Sequence, residues 1–235
     1  HLSRPRHVSA HGLGLREDVV AGPAFCQVLD HAASVAQLGQ PVLLLGESGT
    51  GKEIVARSLH TARPAPGPFV GLNISAIPES LFESELFGHE RGAFTGATES
   101  RPGAFREASG GVLFLDEVAD LRQDLQVKLL RVIDTHRVRP LGSRCDAAID
   151  VQVIAATSRD LHDACSKGDF RHDLYYRLAG VVLRIPPLRE RRDEILLLAL
   201  SILQRQAPSV RLTIDAAEAL VNASWHGNVR NLRRV

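Results

Sequence analysis

Val42-Leu43-Leu44-Leu45-Gly46-Glu47-Ser48-Gly49-Thr50-Gly51-Lys52 decides how the rest of the chain is read. The four apolar residues after Pro41 have the look of a short strand buried in a parallel sheet. The seven that follow match the GxxxxGK pattern, and a helix is expected over residues 53–60. A strand, a Gly-rich loop and a helix, in that order, form the context in which this pattern holds phosphates. The glycines let backbone N–H groups turn toward phosphate oxygens. The helix N-terminus adds partial positive charge, and Lys52 supplies a point charge for the outer phosphates. A Gly-rich turn without a ligand is the plainer alternative, and the flanking strand and helix weigh against it. Glu53 stands where Ser or Thr usually ligates Mg²⁺, so the metal needs another holder.

Outward from this loop, the pattern is one of alternation. Residues 1–18 are polar and are expected to be a linker. Phe25, Val28, Leu29, Ala32 and Val35 have helical spacing within 25–38. Strands are expected at 69–73, 112–115, 151–155 and 181–185, and helices at 79–87 and 120–134. The second of these puts Leu121, Leu125, Leu129, Val132 and Ile133 on one face. Residues 137–150 suggest a hairpin excursion turning at Gly142. Alternating strands and helices imply an α/β fold, a parallel sheet with helices on both faces. Pro186-Pro187 ends that pattern, and only helices are expected beyond it, at 193–206, at 215–222 and from near Asn228. The expected division is an α/β nucleotide-binding subdomain over 19–187 and a small helical subdomain over 188–235, truncated at its C-terminus.

Polar residues cluster at the predicted strand ends. The apolar run 112–115 ends in Asp116 and Glu117, at the sheet edge where ligands of such folds bind. Asp116 suits Mg²⁺, directly or through water, and Glu117 suits polarising an attacking water. Asn73, Thr157 and Ser158 end two other strands. Each type commonly caps a turn, but three in register favour a shared site. Between the loop and the acidic strand lies Gly92-Ala93-Phe94-Thr95-Gly96-Ala97, one aromatic and one hydroxyl among small residues. By itself it fits a tight turn with its Phe folded inward.

The bulk properties exclude several classes. The chain has 235 residues, room for one large domain or a domain with a small partner. Apolar residues make up 44%, enough for a core, and a net charge of +1 gives neither a nucleic-acid-sized basic patch nor an acidic tail. Lysine occurs only at Lys52, Lys128 and Lys167, which makes the loop lysine conspicuous. Three cysteines without a CxxC pair fit a reducing cytoplasm. No apolar run approaches a membrane span, and no signal-peptide pattern opens the chain. The ten histidines show neither HExxH nor paired spacing with cysteine, so no structural metal is expected. The lack of methionine, and an end at Arg233-Arg234-Val235 inside a helical pattern, point to a piece of a longer protein.

Taken together, these residues resemble the AAA+ ATPase domain of bacterial enhancer-binding proteins, the activators of sigma-54 RNA polymerase. The resemblance runs from about Val20 onward. It is carried by GESGTGKE at 46–53, ELFGHERGAFTGA at 85–97, ASGGVLFLDE at 108–117, FRHDLYYRL at 170–178, PPLRER at 186–191 and WHGNVRNL at 225–232. Glu53 is usual in that family. The resemblance implies an AAA+ P-loop NTPase fold with a helical lid. It also implies hydrolysis of ATP to ADP and phosphate, with Mg²⁺ as cofactor. Gly46 to Glu53 would be the Walker A and Asp116 and Glu117 the Walker B. Asn73 would be a switch residue holding Glu117. Thr157 and Ser158 fall at sensor I, where many relatives have Asn in place of Ser158. Arg230 looks like sensor II, and Val20, Ala21 and Gly22 lie where the family packs adenine. Arg171 and Arg177 look like arginine fingers reaching a neighbouring subunit's nucleotide, in a homo-hexamer ring or a heptamer. The hexapeptide would contact the sigma-54 holoenzyme, with the excursion around Gly142 in support. Promoter or enhancer DNA would be bound by a domain absent from this chain, and no membrane is involved.

Spacing tempers the finger assignment. Phe170, Leu174 and Leu178 form an apolar stripe that leaves both arginines outside it. At ~100° per residue the two lie ~120° apart, so either one precedes the helix or they do different jobs. Ordinary surface arginines are the alternative. A nucleotide-dependent Glu117–Asn73 contact is expected to shift the helix ending at Phe87 and so to raise or lower Phe94 and Thr95. Two other functions stay open: a nucleotide-binding regulatory module that does no remodelling, and a generic AAA+ remodeller.

Overall fold

The computed structural model describes residues 6–8, 19–65 and 67–234. The first elements are β1 (Arg6–Val8), β2 (Val19–Ala21), α1 (Pro23–Val35), β3 (Val42–Leu45) and α2 (Lys52–Thr61). Next come β4 (Phe69–Asn73), α3 (Glu79–Phe87), α4 (Ala104–Glu107), β5 (Val112–Asp116) and α5 (Gln123–Thr135). Then follow β6 (Arg137–Val138), β7 (Ala147–Ala148), β8 (Gln152–Thr157), α6 (Leu161–Lys167), α7 (His172–Leu178) and β9 (Val181–Arg184). The last helices are α8 (Ile195–Gln206), α9 (Ile214–Asn222) and α10 (Asn228–Leu232).

Five parallel strands run in the order β4-β5-β8-β3-β9. Their side chains divide by alternation. Leu43, Leu113, Leu115, Val153 and Ala155 enter one core with residues of α3 to α7. Val42, Leu44, Val112, Phe114, Ile154 and Ala156 enter a second core with α1 and α2. Burial on both faces is why these strands are continuous apolar runs. Leu129 is fully buried in the first core, and its replacement by Ala is expected to cost about 2–5 kcal/mol. A third, smaller core begins at Leu188 and joins Ile195, Leu198, Ile202, Trp225 and Leu232.

The structure departs from expectation in places. Within the stretch expected to be a linker, Arg6–Val8 pairs antiparallel with Val19–Ala21; the rest of 1–18 lies outside the described residues. Helix α5 starts at Gln123 rather than 120, because Val118–Asp120 form a 3-10 turn and Leu121 is extended. Strand β8 runs two residues further than expected, to Thr157. The short helices α4 and α6 were not anticipated. Asp160 starts α6 by accepting from the backbone N–H of His162 and Asp163, and Gly168 ends it with a left-handed φ of 79°. Strands β6 and β7 pair antiparallel, forming the hairpin expected around Gly142.

Parallel register brings the candidate strand ends to one edge. Leu45 lies opposite Thr157, and Asn73 opposite Asp116. That edge is the carboxyl end of the sheet, where α/β folds bind ligands.

Candidate active site

The loop after β3 is held by the sheet and by itself. Gly46 N–H donates to Thr157 O at 3.2 Å, and the buried Thr50 hydroxyl donates to Glu47 O at 2.8 Å. Gly49 has φ +80°, and a Cβ on it would lie 2.4 Å from Gly227 O, so conformation and space both require glycine. Lys52 opens α2 and is 7% exposed. Its Nζ donates to Gly46 O at 3.0 Å and to Glu117 Oε1 at 3.2 Å.

Glu117 follows β5 in a left-handed conformation, φ 56° and ψ 49°. A non-glycine residue held there costs on the order of 1–3 kcal/mol, which the surrounding contacts must offset. Its Oε2 accepts from Ser158 N–H at 3.0 Å and Ser158 Oγ at 2.9 Å. Burial pushes the Glu117 carboxyl up, but the Ser158 N–H, the Lys52 charge and the Ser158 hydroxyl outweigh it and hold it below its ordinary value. Asp116 goes the other way: its burial outweighs the pull of Lys52, and the neighbouring Glu117 charge adds to the rise. Two adjacent acids thus differ in proton affinity.

The expected Asn73–Glu117 contact is not made among the described residues. Asn73 Oδ1 accepts from Ser75 Oγ at 3.1 Å, while the Glu117 oxygens are taken by Lys52 and Ser158. Register is part of the reason, since Asn73 lies beside Asp116 rather than Glu117.

A cavity of about 910 Å³ spreads from this edge to the lid. Ser48 to Glu53, Asn73, Asp116, Glu117 and Ser158 line its polar end. Val20, Phe25, Leu198 and Ile202 form its apolar part, and Arg230 also lines it. Not every sequence candidate lines the cavity. Thr157 is fully buried, its hydroxyl accepting from Arg159 N–H, and it supports the loop from behind. Ala21 is buried, and Gly22 packs against Glu194, 2.2 Å from where a Cβ would sit. Glu53 does line the cavity, but its carboxylate pairs with Arg57 at 3.0 Å. Glu47 turns toward the lid.

That turn reveals residues that sequence reasoning missed. Arg189 donates to both Glu47 oxygens, at 2.9 and 2.6 Å. Asn228, fully buried, donates to Glu47 Oε2 at 3.1 Å and Ser48 O at 3.0 Å, and accepts from Leu188 N–H at 2.7 Å. Arg230, already singled out from the sequence, joins them by donating to Ser48 Oγ at 2.9 Å. Arg191 is 3% exposed; it donates to Thr50 O and Glu194 and lies over the Phe25 ring at 4.9 Å. The charged PPLRER run, placed where the fold changes to helices, was the available signal for this junction.

The two candidate fingers sit apart from the cavity. Arg171 immediately precedes α7 and pairs with Asp173 through both carboxylate oxygens, at 3.0 and 2.7 Å. Arg177 lies in the last turn of α7 and pairs with Asp134 at 2.8 Å. Both are about half exposed.

The hexapeptide forms a turn between α3 and α4, closed by Gly92 N–H to Ala97 O at 2.9 Å. The two helix ends meet at its root, where a Cβ on Gly103 would lie 2.2 Å from Gly88 N. Phe94 is 39% exposed and rests on His89. Gly142 of the hairpin excursion faces Ala93, 3.0 Å from where its Cβ would sit.

A Gly-rich phosphate loop, a strand-end acid pair and a helical lid docked on the loop define a P-loop protein of the AAA+ class. Residues 19–184 match the sigma-54 interaction domain, and residues 189–235 match the AAA+ ATPase lid domain. The chain belongs to the sigma-54 interaction domain family. The transcriptional regulatory protein GlrR of Escherichia coli K12 is 52% identical over 227 residues, 94% of this chain and 51% of GlrR. The response regulator protein PilR of Pseudomonas aeruginosa is 49% identical over 219 residues, 91% of this chain and 49% of PilR. The crystal structure of NtrX from Brucella abortus in complex with ATP superimposes with a TM-score of 0.82 at 35% identity, covering 90% of this chain and 49% of NtrX. The chain thus spans about half the length of the curated relatives it matches. Among the described residues, no helix is long and apolar enough to cross a membrane.

Proposed function

We propose that this chain is the ATP-hydrolysing module of a cytoplasmic activator that remodels the sigma-54 RNA polymerase closed complex through the 92–97 loop. The observation that carries the reading is one fold holding both a Lys52–Glu117 ion pair beside the Gly-rich 46–52 loop and an exposed Phe94 turn. Family membership supports the partner assignment. The ATP complex of NtrX supports the choice of nucleotide.

In this reading the 46–52 loop cradles the phosphates, and the apolar part near Val20, Phe25 and Ile202 takes the base. Glu117 orients and polarises the attacking water; its depressed proton affinity keeps it ionised for that task. Asp116 would hold Mg²⁺, which supplies charge neutralisation at the transferring phosphoryl group. The fit rests on an acid pair at a sheet edge beside Lys52, inside a cavity of about 910 Å³. Ser158 holds Glu117 until phosphate recruits it, and Asn73 takes over the contact in another nucleotide state. Arg230 senses nucleotide from the lid. Arg171 and Arg177 leave their aspartate partners to reach a neighbouring subunit's nucleotide in a hexameric ring. Promoter DNA is engaged through a domain outside this chain.

The test is capture of purified sigma-54 in ADP–metal fluoride by the chain and by Thr95→Ala. Capture by the first and not the second is expected. ATP turnover rising with protein concentration but without capture would leave an AAA+ ATPase with another client. Nucleotide binding without turnover would leave a regulatory binding module.

A further inference from the structure

We infer that His89 is the positioning residue for Phe94, linking the last turns of α3 to the exposed hexapeptide; this rests on the proposed partner role of that loop. His89 follows Gly88, the residue that ends α3, and is only 7% exposed. Its Nδ1 shares a 2.6 Å hydrogen bond with the hydroxyl of Ser84, itself 8% exposed on α3. Its ring centroid lies 5.0 Å from that of Phe94, tilted by 60°. One imidazole therefore bonds the helix on one side and carries the loop aromatic on another.

The backbone around His89 is fixed. Its N–H donates to Arg101 O at 3.0 Å and its carbonyl accepts from Arg101 N–H at 2.9 Å, closing the root of the loop. Glu90 N–H donates to Leu141 O, and Leu141 N–H to Gly88 O, each at 2.9 Å, which ties in the hairpin excursion. The loop tip is different. Space around Gly92 and Gly96 is open, with nothing within 4 Å of a Cβ built on either. A tip of small residues has little of its own to hold Phe94. The contact with His89 sets where the ring sits, and the Ser84 bond sets where the imidazole sits. A displacement of α3 then reaches Phe94 through two side-chain contacts rather than through the flexible glycines.

The test places 4-fluorophenylalanine at position 94 and reads its ¹⁹F resonance. In the unsubstituted chain the imidazole should displace the resonance from that of the free amino acid. His89→Ala should move it to the free position. Ser84→Ala, a mild change that keeps the ring, should move or broaden it and remove its response to ADP–metal fluoride. Ser84→Thr, which keeps the hydroxyl, should restore both. An unchanged resonance in His89→Ala and Ser84→Ala, with the fold intact by circular dichroism, overturns the inference. Sigma-54 capture is read separately. If Phe94→Ala captures sigma-54 like the parent chain, the partner role of the loop fails, while the resonance still decides the His89 contact.

Discussion

Lys52 Nζ lies 3.2 Å from Glu117 Oε1, so the phosphate-loop lysine and the strand-end acid neutralise one another across the site. In the proposed mechanism, incoming phosphate competes with Glu117 for that lysine. On that mechanism Glu117→Gln removes the competitor and the proposed base together. ATP turnover should fall by ~10²–10⁴-fold, while ATP binds at least as tightly as before. Lys52→Ala should instead weaken ATP binding by ~10–100-fold, the scale of a lost charge-assisted hydrogen bond. Equilibrium binding and steady-state turnover separate the two. Loss of binding in Glu117→Gln would refute this division of roles.

The arginines make a different demand. Arg171 and Arg177 are bound to Asp173 and Asp134, away from this chain's own cavity. If they act in trans, Arg171→Ala or Arg177→Ala should leave ATP binding intact and cut turnover by roughly 10³-fold or more, the scale of an arginine finger. A mixture of Arg171→Ala with Lys52→Ala should recover part of the turnover, because one supplies the finger and the other an intact loop. Absence of recovery in a mixed assembly would place Arg171 in another role.

How much of this was legible in sequence follows from range. The 42–45 and 69–73 strands and the 79–87 helix appear within the bounds read from pattern, because burial and turn residues are local signals. Helix α4, four residues long, is too short to show a period. Asp160 and Gly168 do bracket α6 as start and stop signals, and that pair could have been read. The 46–52 loop was visible because its motif residues are contiguous. The direction of Glu47 was not, since its partners Arg189 and Asn228 lie 142 and 181 residues away. Glu117's choice of Ser158 over Asn73 likewise depends on a left-handed residue after β5, which nothing local to Asp116-Glu117 announces.

The Glu47–lid contact gives a pH prediction with a definite sign. Hydrogen bonds from Arg189 and Asn228 hold the Glu47 carboxyl below its ordinary value of 4.5. A group depressed on folding adds stability above its unfolded value, and that stability is lost as pH falls through the folded value. The unfolding midpoint of Glu47→Gln should therefore lie below that of the parent chain near neutrality. The gap should close as pH drops below 4.5. A gap unchanged by acid would mean that Glu47 acts through shape, not charge.

Gly49 and Arg191 hold the same junction by different physics. A side chain at Gly49 would meet Gly227 O and Arg230 Cβ, so Gly49→Ala should lift α10 off the loop and weaken nucleotide binding. Arg191 is a buried charge whose Nη2 donates to Thr50 O and whose Nη1 pairs with Glu194, while Glu194 also accepts from Phe25 N–H at 3.0 Å. Arg191→Met strands the Glu194 carboxylate in the interior, and breaking a buried pair from one side costs about 3–5 kcal/mol. Adding Glu194→Gln removes the stranded charge while keeping an oxygen for Phe25 N–H. The double variant should therefore be more stable than Arg191→Met alone, measured by urea unfolding. If the second substitution lowers stability further by its full single-site cost, the two side chains are uncoupled, and Arg191 is held mainly by Thr50 and the Phe25 ring.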